Sequence, residues 1–105
     1  MKNLQQQEWR SQLANDKNGL IIDVRTNDEC NSGIIENAIM IDFLQPELFL
    51  QEIKNLDTSK NYYIYCRSGN RSGKACEIMD NLGFNETFNL IGGMIEWDSK
   101  TVSPN

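Results

Sequence analysis

Apolar residues fall along this chain in two rhythms. "LIIDV" (20–24), "AIMIDF" (38–43) and "NYYIYC" (61–66) are short unbroken runs rich in β-branched and aromatic residues. Such runs suit strands buried on both faces of a parallel sheet. "KNL" (2–4) can open the chain as an edge strand, and "ETFNLIGG" (86–93) reads as a short strand and turn. Between these runs the spacing becomes helical. Trp9 and Leu13 stand four apart in "QQEWRSQLA", and "RTNDECNSG" offers Thr26 or Asn27 as a cap and Gly33 as a stop. Leu48, Ile53 and Leu56 follow Pro46 in "QPELFLQEIKNL". From Ser72 onward, Ala75, Ile78, Met79 and Leu82 trace one buried helical face, which Gly83 ends. "MIEWDSK" is a last short helix, and "TVSPN" a tail. Strands alternating with helices predict an α/β fold whose parallel sheet is covered on both faces. In such folds ligands bind beyond the carboxyl ends of the strands, where a strand gives way to a helix N-terminus. Cys66 occupies that position.

The bulk numbers narrow the function. A chain of 105 residues is expected to form one domain (1–105), with a core over about 3–98 and a short C-terminal tail. The net charge of -5 argues against a general nucleic-acid binder. No apolar run approaches the ~20 residues of a membrane span, so the expected setting is cytoplasmic. Charge is nonetheless unevenly spread. No acidic residue lies between Asp57 and Glu77, while Lys60, Arg67, Arg71 and Lys74 all do. Three cysteines, Cys30, Cys66 and Cys76, fit neither a disulfide framework nor a paired-cysteine metal site. The chain contains no histidine, which excludes Cys-His and Ser-His-Asp catalysis and histidine metal ligation.

A reactive Cys66 must therefore be activated by other means. The loop "CRSGNRS" (66–72) offers backbone N–H groups at a helix N-terminus, and Gly69 and Asn70 tolerate the left-handed turn that aims amides inward. Those dipoles, with the flanking cations, favour a thiolate. Cys30 and Cys76 read as small buried hydrophobes. Arg25 and Glu29, four apart, read as a structural pair, Gly92–Gly93 as a turn, and Trp9 and Trp97 as packing residues.

Taken in order, "LIIDVRTNDEC", "GIIENAIMID", "YIYCRSGNRSGKA", "LGF" and "NLIGGMIEW" resemble the segments of rhodanese-like sulfurtransferase domains over nearly the whole span from Leu20 to Trp97. The resemblance implies a three-layer fold, a central five-stranded parallel sheet with helices on both faces. It implies that Cys66 is the catalytic nucleophile carrying sulfane sulfur as a persulfide. Arg67, Ser68, Gly69, Asn70, Arg71 and Ser72 would form the substrate-binding loop, and Asp23 and Arg25, matching an Asp-x-Arg pair, would support it together with Lys74. No metal or organic cofactor is implied. The partners would be a small anionic sulfur donor, such as thiosulfate or polysulfide, and a thiol, cyanide or protein acceptor. Two positions depart from the family pattern: Cys30 follows Glu29 where an aromatic is common, and Gly33, Ile34 and Ile35 stand where Gly-His-Ile is common.

Two other readings share this architecture. One is a persulfide carrier or docking module serving a protein partner without turnover. The other is a cysteine-dependent phosphatase or arsenate reductase, whose loop places five residues between cysteine and arginine. Only four separate Cys66 from Arg71.

Overall fold

A computed structural model describes residues 1–104. Ten elements alternate along the chain: β1 (Lys2–Leu4), α1 (Gln6–Ala14), β2 (Gly19–Asp23), α2 (Asn27–Cys30), β3 (Ile39–Met40), α3 (Pro46–Lys54), β4 (Asn61–Tyr65), α4 (Asn70–Asn81), β5 (Glu86–Leu90) and α5 (Gly93–Glu96). The strands form one five-stranded sheet in the order β1-β5-β4-β2-β3, every pairing parallel. The expected α/β architecture is the one observed.

β4 lies at the centre of the sheet, and its side chains alternate between two cores, as the two-residue period of a strand requires. Tyr62, Ile64 and Cys66 face one side and pack with Ile22, Val24, Phe49, Ile53, Ala75, Cys76 and Met79. Tyr63 and Tyr65 face the other, with Leu4, Trp9, Ile21, Ile35, Phe88 and Leu90. Trp9 is fully buried and meets Tyr63, Tyr65 and Trp97 edge-on, which bears out the packing role read for both tryptophans. Each large apolar side chain buried in this way contributes about 1.5–3 kcal/mol.

Several boundaries differ from the sequence expectation, each for a physical reason. β3 shrinks to two residues because only Ile39 and Met40 pair with β2. In α3 the buried pair is Phe49 and Ile53, while Leu48 is 45% exposed. Five residues turn a helix through about 140°, so Leu48 and Ile53 cannot share a face, whereas Phe49 and Ile53 at four apart do. α4 begins at Asn70, two residues earlier than Ser72, and buries Ser72, Ala75, Cys76 and Met79. Leu82 is 39% exposed because it is the cap beyond the last helical turn. The segment read as a tail is tied down: Val102 and Ile34 exchange backbone hydrogen bonds of 2.8 and 2.9 Å. Asn105, the last residue of that segment, lies outside the described residues. Among the described residues no helix is long and apolar enough to cross a membrane.

Candidate active site

Cys66 follows β4 directly, and the chain then turns through three residues into α4. The turn depends on Gly69, whose φ of 101° lies in the left-handed region. Gly69 is also the N-cap of α4, and a glycine has no side chain with which to satisfy the first turn. The Cys66 sulfur does that instead. Its Sγ accepts the Gly69 N–H at 3.1 Å, the Ser72 N–H at 3.4 Å and the Ser72 hydroxyl at 3.3 Å. The sulfur thus stands where a capping oxygen usually would, at the positive end of a twelve-residue helix.

Burial alone would push the Cys66 thiol up. The Ser72 hydroxyl and the backbone N–H groups of Ser72, Gly69 and Ser68 pull the other way and prevail, so the thiol lies below its ordinary value. Hydrogen-bond donors carry this shift, more than the flanking cations expected to share in it. Cys30 and Cys76 have no such cradle, and burial pushes each up to about 12. Both are buried, as read from the sequence.

The two loop arginines have different surroundings. Arg71 donates from Nη1 and Nη2 to the two carboxylate oxygens of Glu29, at 2.8 and 2.9 Å. Glu29 is held in turn by a capping box: Thr26 N–H donates to its Oε1, and its own N–H donates to the Thr26 hydroxyl oxygen. The Arg71 guanidinium, against the opposing effect of burial, holds the Glu29 carboxyl down at about 2. Arg67 is exposed, as is Lys74, and neither makes an ion pair among the described residues.

Arg25 and Glu29 are therefore not the pair expected. Arg25 forks onto Asp23, with Nη2 2.7 Å from Oδ2 and Nε 3.0 Å from Oδ1, and reaches Glu29 only at its backbone carbonyl. Four residues is ordinary spacing for a helical ion pair, but Arg25 precedes the Thr26 cap and so lies outside α2. From there it also donates 2.7 Å to the Gly33 carbonyl and lies over the Tyr65 ring. Asp23 is paired in register with Tyr65, one residue before Cys66. The Asp23–Arg25 pair therefore pins both ends of the turn that carries Glu29, and Glu29 pins Arg71.

The turn read at Gly92–Gly93 ends at Gly92, which caps α5, and Gly93 opens that helix; the helix also props the cysteine loop. Met94 N–H donates to the Cys66 carbonyl and Ile95 N–H to the Arg67 carbonyl, both at 3.0 Å. A Cβ on Gly93 would lie 2.5 Å from the Cys66 carbonyl oxygen, so only glycine fits there. Sequence reasoning missed Asn89 as well. This buried residue of β5 accepts the Ser72 hydroxyl at 2.5 Å and donates to the Gly69 carbonyl at 3.1 Å. Its signal was available: an amide inside an apolar strand of a covered sheet requires partners. No cluster of metal-ligating side chains occurs among the described residues.

Residues 6–100 match the family model of the rhodanese-like domain. YtwF of Bacillus subtilis is 35% identical over 97 residues, spanning 91% of this chain and 89% of the relative. A sulfurtransferase of Allochromatium vinosum is 34% identical over 85 residues, 81% of this chain and 77% of the relative. The crystal structure of a rhodanese-like domain protein from Staphylococcus aureus superposes with a TM-score of 0.85 at 30% identity, covering both chains completely.

Proposed function

The chain belongs to the rhodanese-like domain family, and from that premise we propose that it transfers sulfane sulfur from a small anionic donor to a thiophilic acceptor through a persulfide on Cys66. The observation that carries the reading is the Cys66 sulfur itself, buried at the head of α4 and facing three donors from Gly69 and Ser72. This arrangement stabilises a thiolate without a base. Exposed Arg67 and Lys74 are left to attract the donor.

With thiosulfate the first step is attack of the Cys66 thiolate on the outer sulfur. The sulfur–sulfur bond of the donor breaks, sulfite leaves with the electron pair, and Cys66 keeps a terminal persulfide anion. In the second step an anionic nucleophile such as cyanide, or the thiolate of a thiol or protein acceptor, takes the outer sulfur, and the electron pair returns to the Cys66 thiolate. Charge balances in both steps and no proton has to move, which suits a site without histidine. Ping-pong kinetics follow. No cofactor, nucleic acid or membrane enters the scheme, and the setting proposed is the cytoplasm.

Arg71 bears on the phosphatase alternative. A phosphatase arginine grips phosphate with both guanidinium nitrogens, and here both are taken up by Glu29. The test is thiocyanate formation from thiosulfate and cyanide by wild type and Cys66→Ser, with intact mass recorded after exposure to donor. Turnover and a gain of one sulfur atom in wild type alone support the proposal. Equal turnover in both proteins overturns it, and loading without turnover assigns the carrier role instead.

A further inference from the structure

The Ser72 hydroxyl has one proton and two acceptors in reach. Cys66 Sγ is 3.3 Å away and Asn89 Oδ1 is 2.5 Å away. The orientation of the Asn89 amide is fixed by its other contacts. Its Nδ2 lies 3.1 Å from the Gly69 carbonyl oxygen, which can only accept, and 2.9 Å from Asn3 Oδ1. Turning the amide over would set its oxygen against the Gly69 carbonyl, so Oδ1 must face Ser72. The hydroxyl can then donate to Asn89 or to Cys66, but not to both.

We infer that Asn89 is a positioning residue that competes with the Cys66 sulfur for the single Ser72 hydroxyl proton, and so sets how readily Cys66 becomes a thiolate. When Cys66 is a protonated thiol, its S–H points to the Ser72 oxygen, and the Ser72 proton points to Asn89. Every donor and acceptor is then matched. When Cys66 is a thiolate, the Ser72 proton has to leave Asn89 to reach the sulfur. The competition ends at the persulfide, because the negative charge moves out to the terminal sulfur and the hydroxyl returns to Asn89. Asn89 thereby disfavours the free thiolate relative to the loaded form. Its bond to Gly69, and that of Asn3 in the neighbouring strand, hold the competitor in place.

This inference rests on Cys66 being the nucleophile of the proposed function, but its readout needs no sulfur transfer. The rate of Cys66 alkylation by iodoacetamide, followed by mass against pH, reports the thiolate directly. Peptide mapping assigns the label to Cys66; Cys30 and Cys76 are equally buried but are held as thiols over the same range. The charges around Cys66 are Arg67 beside it, Arg71 on α4 with Glu29 on α2, and Asp42, which acts on Arg71. All of them stay in place in every variant.

Asn89→Leu removes the competing acceptor, and the alkylation midpoint is expected to fall by about one pH unit. Asn89→Asp keeps the acceptor and adds a negative charge while losing the bonds to Gly69 and Asn3, so its midpoint should rise; Asn89→Ala, which also removes the acceptor, serves if the leucine variant does not fold. Repeating Asn89→Leu in a Ser72→Ala background should leave the midpoint of that background unchanged, because the shared proton is gone. The same fall with and without the Ser72 hydroxyl would overturn the inference, as would a shift of the same sign in the leucine and aspartate variants. Thiocyanate turnover tests the sulfurtransferase reading separately and can fail while these midpoints move as expected.

Discussion

Replacing Glu29 by glutamine should weaken the fold and sharpen the nucleophile together. Glutamine keeps the shape and the oxygen that receives the Thr26 N–H, but its amide nitrogen cannot accept from Arg71 Nη2, so the change removes the charge and one of the two hydrogen bonds from Arg71. In the native protein the Glu29 carboxyl is held at about 2, against an ordinary 4.5. That interval corresponds to about 3 kcal/mol of favourable interaction in the ionised form. Both partners are roughly a quarter exposed, so solvent screening reduces the net to about 1–2 kcal/mol. For a chain of this size the melting temperature should fall by about 5–15 °C at pH 7. The pH dependence has a definite sign. A carboxyl with a depressed folded-state value contributes fully above its unfolded value of 4.5, and the contribution is lost as pH falls toward about 2. Wild type and Glu29→Gln should therefore converge in stability on acidification, which urea melts at a series of pH values would show. Meanwhile Arg71 loses its neutralising partner and keeps its charge near Cys66, so the iodoacetamide midpoint of Cys66 should move down. An unchanged melting point at pH 7, or a deficit that persists undiminished in acid, would refute the reasoning.

Gly93→Ala should cost about 3 kcal/mol or more, read as a fall in melting temperature and in thiocyanate turnover. The added Cβ meets the backbone of Cys66 and Arg67 at 2.5–2.7 Å, and relieving that contact breaks the hydrogen bonds from Met94 and Ile95. Arg67→Ala should raise the KM for thiosulfate several-fold, flatten its dependence on salt and leave kcat and melting temperature nearly unchanged, because the side chain is exposed and unpaired. Tyr65→Phe should lower stability by about 1–3 kcal/mol in a urea melt, since the buried Ile35 N–H donates to the Tyr65 hydroxyl oxygen and would be left without an acceptor.

The strands and the place of Cys66 between β4 and α4 were legible because they depend on local pattern. The apolar run leading into "CRSGNRS" both builds β4 and ends it at a loop, and a glycine-bearing turn into a helix supplies donors wherever it occurs. Side-chain partnership was not legible, because it depends on geometry between distant segments. Arg25 has an acidic residue on either side, at Asp23 and Glu29. Spacing favoured Glu29, but the strand end directs Arg25 to Asp23 and frees Glu29 for Arg71, forty-two residues away. Asn89 lies seventeen residues from Ser72 and twenty from Gly69, and only the β4–β5 register brings it beneath the loop. The apolar face of α3 was misplaced for a simpler reason. Leu48 and Phe49 both fit a loose apolar spacing, and only the four-residue interval to Ile53 distinguishes them.

The cations around the site divide into two kinds, and the division leaves positive charge for the anionic donor proposed above on a chain of net charge -5. Arg25 and Arg71 are each neutralised by a carboxylate, Arg25 tying the end of β2 to the turn at Gly33 and Arg71 bridging α4 to α2, so their charge is spent on shape. Arg67 and Lys74 have no partner among the described residues and face solvent, so their charge remains available to an incoming donor. The sulfur itself relies on neither kind. Its donors are two backbone amides and one hydroxyl; the amides are fixed dipoles, and only the hydroxyl can turn between Asn89 and the sulfur. The exchange proposed above moves no proton, so this loop can perform it without a histidine.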